Sequence, residues 1–130
     1  VIHIGDGGLQ VNLQDLQTVA HYNIPLKIFV WNNSGYATIQ TFQEGNLDSR
    51  FHATDFNHGY SAPNFEEVAQ LFKLSYFRMD DDTDVKSTVA DVLAKPGPVL
   101  CEVIMDIDFR PTPSLGAETK YDNLQPPLNK

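Results

Sequence analysis

Two short turns hold the residues of this sequence best suited to chemistry: Gly5-Asp6-Gly7-Gly8 and Asn32-Asn33-Ser34-Gly35. Glycines let backbone N–H groups approach an anion closely, and a helix opening behind such a turn adds a favourable dipole. Asp6 in the middle of the first turn would repel a bare phosphate. A carboxylate there points to an intervening cation, and Mg2+ is the natural one, because it takes hard oxygen ligands and commonly bridges a protein carboxylate and ligand phosphates. Asn33 offers a carboxamide oxygen, and Gly35 can turn its carbonyl inward without a Cβ clash. Either turn alone is ordinary, since Asn and Gly are common turn residues. If the turns close neighbouring strands, about 4.8 Å apart, Asp6 and Asn33 reach one metal.

The elements that must position these turns alternate between strand and helix. Val1–Gly5 reads as a buried strand, and Asn12–His21 as an amphipathic helix with Leu13, Leu16, Val19 and Ala20 on one side, Asn12 as its cap and Asp15 in the capping-box position. Pro25–Trp31 is a near-continuous apolar run, typical of a strand covered on both faces. A helix opens near Tyr36 and fades by Gly45. Residues 46–63 are polar and read as a long loop, and residues 44–63 are expected to be poorly ordered without cofactor and partner domain. Asn64 caps a helix running to about Lys73. Leu74–Met79 is a third strand, residues 84–94 a helix stopped by Lys95-Pro96-Gly97, and Val99–Met105 a fourth strand. This predicts an α/β fold, a parallel sheet with helices on both faces, whose ligands sit beyond the carboxyl ends of the strands.

Composition narrows the function. With 130 residues the chain is one domain at most, and 9 basic against 17 acidic side chains give a net charge of −8. That sign disfavours nucleic acid and anionic membrane surfaces as partners. There is no apolar run of the roughly 20 residues needed to span a bilayer. One cysteine, Cys101, fits a reducing compartment, so a cytoplasmic location is expected. The opening in mid-strand suggests a piece of a longer protein.

Gly5-Asp6-Gly7 followed by Asn32-Asn33, with Asp6 and Asn33 27 positions apart, resembles the thiamine-diphosphate motif of pyruvate decarboxylase and acetolactate synthase relatives. The stretches 9–16 and 21–28, together with Phe42-Gln43, are similar to acetolactate synthases in particular. The resemblance implies a thiamine-diphosphate-binding fold in which Asp6 and Asn33 bind Mg2+ through their side chains and Gly35 through its carbonyl. Gly5, Gly7, Gly8 and Tyr36 would join these residues around the cofactor. Residues 1–108 would then form a partial diphosphate-binding domain and 109–130, with Pro111, Pro113, Pro126 and Pro127, an extended carboxyl-terminal tail. It further implies a 2-keto acid substrate, a carboligase or lyase reaction, a homodimeric or homotetrameric parent, and a Glu supplied by a separate domain. No catalytic residue is assigned within the chain, which alone is expected to be inactive. Two positions depart from the pattern. Gly8 stands where the family usually has Ser, and Ile39 stands where pyruvate decarboxylases place a Glu, six positions after the metal-binding Asn.

Other candidates carry plainer readings beside the functional ones. His3 reads as a packed, hydrogen-bonded side chain, while His52 and His58 sit in the long loop and could reach a site. Asp80, Asp81, Asp82 and Asp84 lack the glycine and terminal Glu of a calcium loop and fit a helix start. Cys101 reads as a buried apolar residue. Tyr36, Ile39 and Phe42 share one side of a helix that is either core or pocket wall. The rival function is a non-catalytic phosphate- or nucleotide-binding module using residues 5–8 alone, without metal.

Overall fold

The computed structural model describes residues 1–109, together with the two short strands β5 (Ser114–Leu115) and β6 (Leu124–Gln125), which pair antiparallel. The reading of 109–130 as an extended tail falls almost wholly outside the described residues. Strands β1 (Ile2–Gly5), β2 (Lys27–Asn32), β3 (Ser75–Met79) and β4 (Val99–Ile104) form one parallel sheet in the order β1-β2-β4-β3. The helices are α1 (Asp6–Val11), α2 (Leu16–His21), α3 (Ala37–Asn46), α4 (Phe65–Leu71) and α5 (Val85–Ala94).

Strand order explains which face each helix takes. The steps β1 to β2 and β2 to β3 run in one direction across the sheet, and β3 to β4 runs back. Crossovers of a single hand must put the returning helix on the opposite face. Leu9 of α1, Leu16 of α2, and Phe65, Val68 and Ala69 of α4 accordingly pack with Ile28, Val30 and Leu100 on one face. Val92 of α5 packs with Phe29, Met79, Val99 and Cys101 on the other. The two ends of each strand fall within two residues of the expected bounds, which is the usual latitude for such boundaries.

Helix starts follow their caps. Asn64 Oδ1 accepts from the N–H groups of Glu66 and Glu67 at 3.0 and 3.2 Å, and Asp84 Oδ1 from those of Lys86 and Ser87 at 3.1 and 3.4 Å. Asp84 thus serves the helix start expected of the acidic cluster. Lys27, though a buried lysine, is satisfied: its Nζ donates to the carbonyls of Lys95 and Gly97 at the end of α5, at 2.5 and 2.6 Å.

Several expectations need correction. The helix placed at 12–21 is in fact two: α1 opens at Asp6, immediately after β1, and a 3-10 turn over Leu13–Asp15 joins it to α2. Asn12 caps with backbone only, and Gly7 and Gly8 lie inside a helix rather than in a turn before it. The reading as a buried strand fails for β1, which is the sheet's edge and leaves Ile2 about two-fifths exposed. His3 is likewise exposed, its ring stacked on Phe29 and Trp31 at 5.3 and 5.8 Å. Residues 47–63 form a loop, as expected, with a 3-10 turn at Phe56–His58.

Candidate functional site

The site lies beyond the carboxyl ends of β1 and β2, which pair directly, Gly5 opposite Trp31. Asn32 and Asn33 shape the second turn by the same means. Asn32 Oδ1 accepts from the Ser34 N–H at 2.9 Å, and Asn33 Oδ1 from the Gly35 N–H at 3.2 Å. Each side chain mimics a backbone turn two residues on. Between them Ser34 takes a left-handed conformation, φ 56°. The chain folds back so sharply that Gly35 has no room for a side chain: an added Cβ would lie 2.3 Å from Ile107 Cδ1 and 2.7 Å from the Thr54 carbonyl oxygen. That carbonyl also accepts from the Tyr36 N–H at 2.8 Å, which ties the turn to the long loop.

The fold-back carries Gly35 to the first turn. Its N–H is shared between Asn33 Oδ1 and Asp6 Oδ2, the latter at 3.1 Å. The two expected metal-ligating side chains therefore converge on one point, Asp6 from the first residue of α1 and Asn33 from behind β2. Gly5, Asp6, Gly7, Gly8, Asn33, Gly35 and Tyr36 all line one cleft of about 390 Å3, whose walls also include Trp31, Ile39 and Met105. Ile39 is thus a cleft wall, one of the two alternatives open for it, while Phe42 does not line the cleft and is exposed.

Asp6 is almost fully buried. Burial raises its pKa above the ordinary aspartate value, while hydrogen bonds from the Gly7 and Gly35 backbone, and the Tyr60 hydroxyl nearby, pull the other way. Neither ion pair among the described residues involves it. Tyr60, from the long loop, stands over Asp6 with its ring 4.5 Å from that of Tyr36. Its hydroxyl is buried with no partner in hydrogen-bond geometry, and burial together with the nearby Asp6 carboxylate pushes its pKa upward. The phenol stays neutral and keeps a proton to give.

These features fit a cation-bridged diphosphate. A buried carboxylate lacking a positive partner, an orphaned buried hydroxyl beside it and a glycine-lined approach are each costly or idle without a ligand. Among the described residues no three His, Cys, Asp or Glu side chains converge. A cation here would be held by one carboxylate, neutral oxygens and the ligand's own phosphates, as Mg2+ commonly is. An adjoining cleft of about 650 Å3 shares Asn33 and Met105 but carries Glu44, Asp55, Asp106 and Asp108, which disfavour an anion. With only six residues, α1 sums few peptide dipoles, so ligand charge would be met by the metal more than by the helix.

The loop histidines take other work. His58 Nδ1 pairs with Asp55 Oδ1 at 2.7 Å, and the His52 backbone bonds to Gln43. Burial pushes the Cys101 thiol up to about 11, so it stays protonated as expected of an apolar strand residue. Tyr60 and Trp31 are site residues that sequence reading missed. Trp31 had a signal, as the chain's sole tryptophan one residue before the second turn. Tyr60 had none beyond being an aromatic in a polar loop.

Comparison with known proteins agrees with this fold. The chain is 33% identical over 101 residues to the acetolactate synthase large subunit of Porphyra purpurea, covering 76% of this chain and 17% of that protein. It is 28% identical over 105 residues to the chloroplastic acetolactate synthase 2 of Zea mays, covering 78% and 16%. Among solved structures, the thiamine diphosphate-dependent 4-hydroxybenzoylformate decarboxylase of Rhodococcus jostii RHA1 superposes with a TM-score of 0.70 at 26% identity, covering 83% of this chain and 20% of that one. The chain thus spans less than a fifth of the curated relatives' length. Residues 1–103 match the family described as the thiamine pyrophosphate enzyme, C-terminal TPP binding domain, and the chain belongs to that family.

Proposed function

We propose that this chain holds the diphosphate of thiamine diphosphate through Mg2+, as part of a 2-keto acid carboligase resembling the acetolactate synthases. Asp6 Oδ2, Asn33 Oδ1 and the Gly35 carbonyl are the metal ligands. Gly5, Gly7, Gly8 and Tyr36 line the diphosphate's approach. The observation that carries this reading is the convergence of Asp6 and Asn33 on the Gly35 N–H, at 3.1 and 3.2 Å, inside the glycine-lined cleft. When bound, thiamine diphosphate supplies the electron sink for loss of carbon dioxide from a 2-keto acid. The parent protein is a homodimer or homotetramer whose separate domain completes the site.

Ile39 supports the carboligase outcome. It lines the cleft where pyruvate decarboxylases keep a Glu, and an alkyl group can neither deliver a proton nor hold a water that would. Carbon–carbon bond formation then outruns aldehyde release. The likeness to a decarboxylase favours the second reading, in which another group supplies the proton.

Two measurements on the full-length protein test this. Thiamine diphosphate affinity is expected to fall sharply when Mg2+ is removed, and unchanged affinity would favour a metal-free phosphate module. Incubation with pyruvate is expected to give a ligated product such as acetolactate. Acetaldehyde as the main product would replace the carboligase reading with the decarboxylase one.

A further inference from the structure

The strongest feature outside the cleft is a row of polar side chains crossing three strands on the face that carries α4. Glu102 of β4 is 6% exposed, in a strand whose neighbouring Leu100 and Cys101 are fully buried. Neither ion pair among the described residues includes it. Its Oε1 accepts from Asn32 Nδ2 at 2.6 Å, and its Oε2 accepts a short hydrogen bond from the Tyr76 hydroxyl of β3. Burying a carboxylate costs several kcal/mol unless hydrogen bonds replace its water, so a sheet core does not keep one for packing alone.

What Glu102 determines is the orientation of a carboxamide. A carboxylate only accepts hydrogen bonds, so Asn32 must turn its NH2 toward Glu102. The oxygen of Asn32 is thereby left facing the Ser34 N–H, which it accepts at 2.9 Å. Ser34 is the left-handed residue, φ 56°, that folds the chain back and sets Gly35 beside Asp6 and Asn33. Were the amide reversed, an NH2 would face an N–H, two donors in contact, and the turn would open.

We propose that Glu102 is a positioning residue for the cation-holding turn, acting through Asn32 on Ser34, Asn33 and Gly35. This rests on the metal reading above. Tyr76 satisfies the far oxygen of Glu102 and lies on the other side of it from Asn32, so it belongs to the support of Glu102 and not to the relay.

The test is calorimetric titration of Mg2+ into the full-length protein at saturating thiamine diphosphate, with thermal unfolding of each variant measured without ligands. Glu102→Met keeps volume and removes the acceptor, and is expected to weaken Mg2+ about tenfold, the usual loss when a group supporting a metal ligand is removed. Glu102→Gln restores an acceptor for Asn32 and is expected to stay within about threefold of the parent. Tyr76→Phe is expected to lower the unfolding temperature while leaving Mg2+ affinity within the same range. Should Glu102→Met fail to fold, Asn32→Ala breaks the relay at its less buried end and is expected to show the same tenfold loss. Parent-like affinity in Glu102→Met or Asn32→Ala would overturn the relay. So would Tyr76→Phe or Glu102→Gln losing as much affinity as Glu102→Met, since the effect would then be general loosening or charge. A parent that binds no Mg2+ would instead overturn the metal reading, and the relay with it.

Discussion

Helices α3 and α5 have ten residues each and opposite interiors. α5 buries Val92 completely against the sheet and keeps its polar side in water. α3 buries Gln40 and Gln43 and leaves Ile39 and Phe42 about half exposed. Its inward glutamines face the long loop. Gln40 Nε2 donates to Asp55 Oδ2 at 2.9 Å, Gln43 Nε2 to the His52 carbonyl at 3.2 Å, and Thr54 Oγ1 to Gln43 Oε1 at 3.4 Å. The difference separates two kinds of work. Apolar contact is non-directional and tolerates exchange of shape, so it fixes that the sheet and its helices come together. Hydrogen bonds are directional, so a polar interior fixes where a carbonyl or hydroxyl points. Through Thr54 and Tyr60 that polar half sets Gly35 and crowns Asp6.

The largest expected effect is on the apolar side. Phe65 is 1% exposed in the core beneath α4, and Phe65→Ala should destabilise the fold by about 3–5 kcal/mol. Thermal unfolding of the full-length protein checks it, and the loss of cofactor binding should track the loss of folded protein. A fold that tolerates the change would mean that the apolar half is not what assembles the domain.

Gln43→Leu should cost less, about 1–3 kcal/mol, because it strands the partners of a buried amide rather than opening a large cavity. Its signature is local. Hydrogen exchange should quicken across 46–63 with little change in β2 and β4, and cofactor affinity should fall further than stability alone requires. Uniform acceleration across the sheet would break the division drawn between the two halves.

Asp6→Asn should show the opposite signs together. The folded pKa of Asp6 lies above its ordinary value, chiefly because of burial. The folded state therefore prefers the protonated form, and stability without ligand should decline as pH rises from the ordinary aspartate value through the folded one. An amide removes that penalty while keeping an oxygen for the Gly35 N–H. The ligand-free protein should unfold at a higher temperature above that pH window, and Mg2+-dependent cofactor binding should be lost. A variant less stable without ligand would mean the Asp6 charge supports the fold rather than burdening it.

How much of this was legible depended on whether a residue's partner was near in sequence. The strands, the helix starts at Asn64 and Asp84, and the turn at 32–35 followed from local pattern, since each involves groups a few residues apart. The start of α1 did not. Gly7 and Gly8 have poor helix propensity, and what winds them into a first turn is packing across the sheet, with the Tyr36 ring filling the space where a Cβ on Gly7 would lie. The inward glutamines of α3 were invisible for the same reason. Periodicity assigns Gln to water, and only the fold brings His52 and Thr54 beneath it. Edge exposure of β1 depends on strand order, which no single strand encodes.

The smallest effect should come from the apolar side of α3, and it is the sharpest test of the comparison. Phe42 shares a helical side with Tyr36 and Ile39, a pattern that read equally as core or as pocket wall. It is 58% exposed and does not line the cleft. If α3 were held as α5 is, replacing its largest apolar side chain would open a cavity and cost several kcal/mol. If it is held through Gln40 and Gln43, the phenyl ring does nothing for the domain. Phe42→Ser should then shift stability by no more than about 0.5 kcal/mol, the range of surface changes, and leave Mg2+-dependent cofactor binding at the parent value. The matching change Val92→Ser on α5, which puts a hydroxyl at a fully buried position among Phe29, Val99 and Cys101, should be plainly destabilising. Equal losses from the two would show that both helices are held by apolar contact, and that the polar interior of α3 follows the fold instead of directing the site.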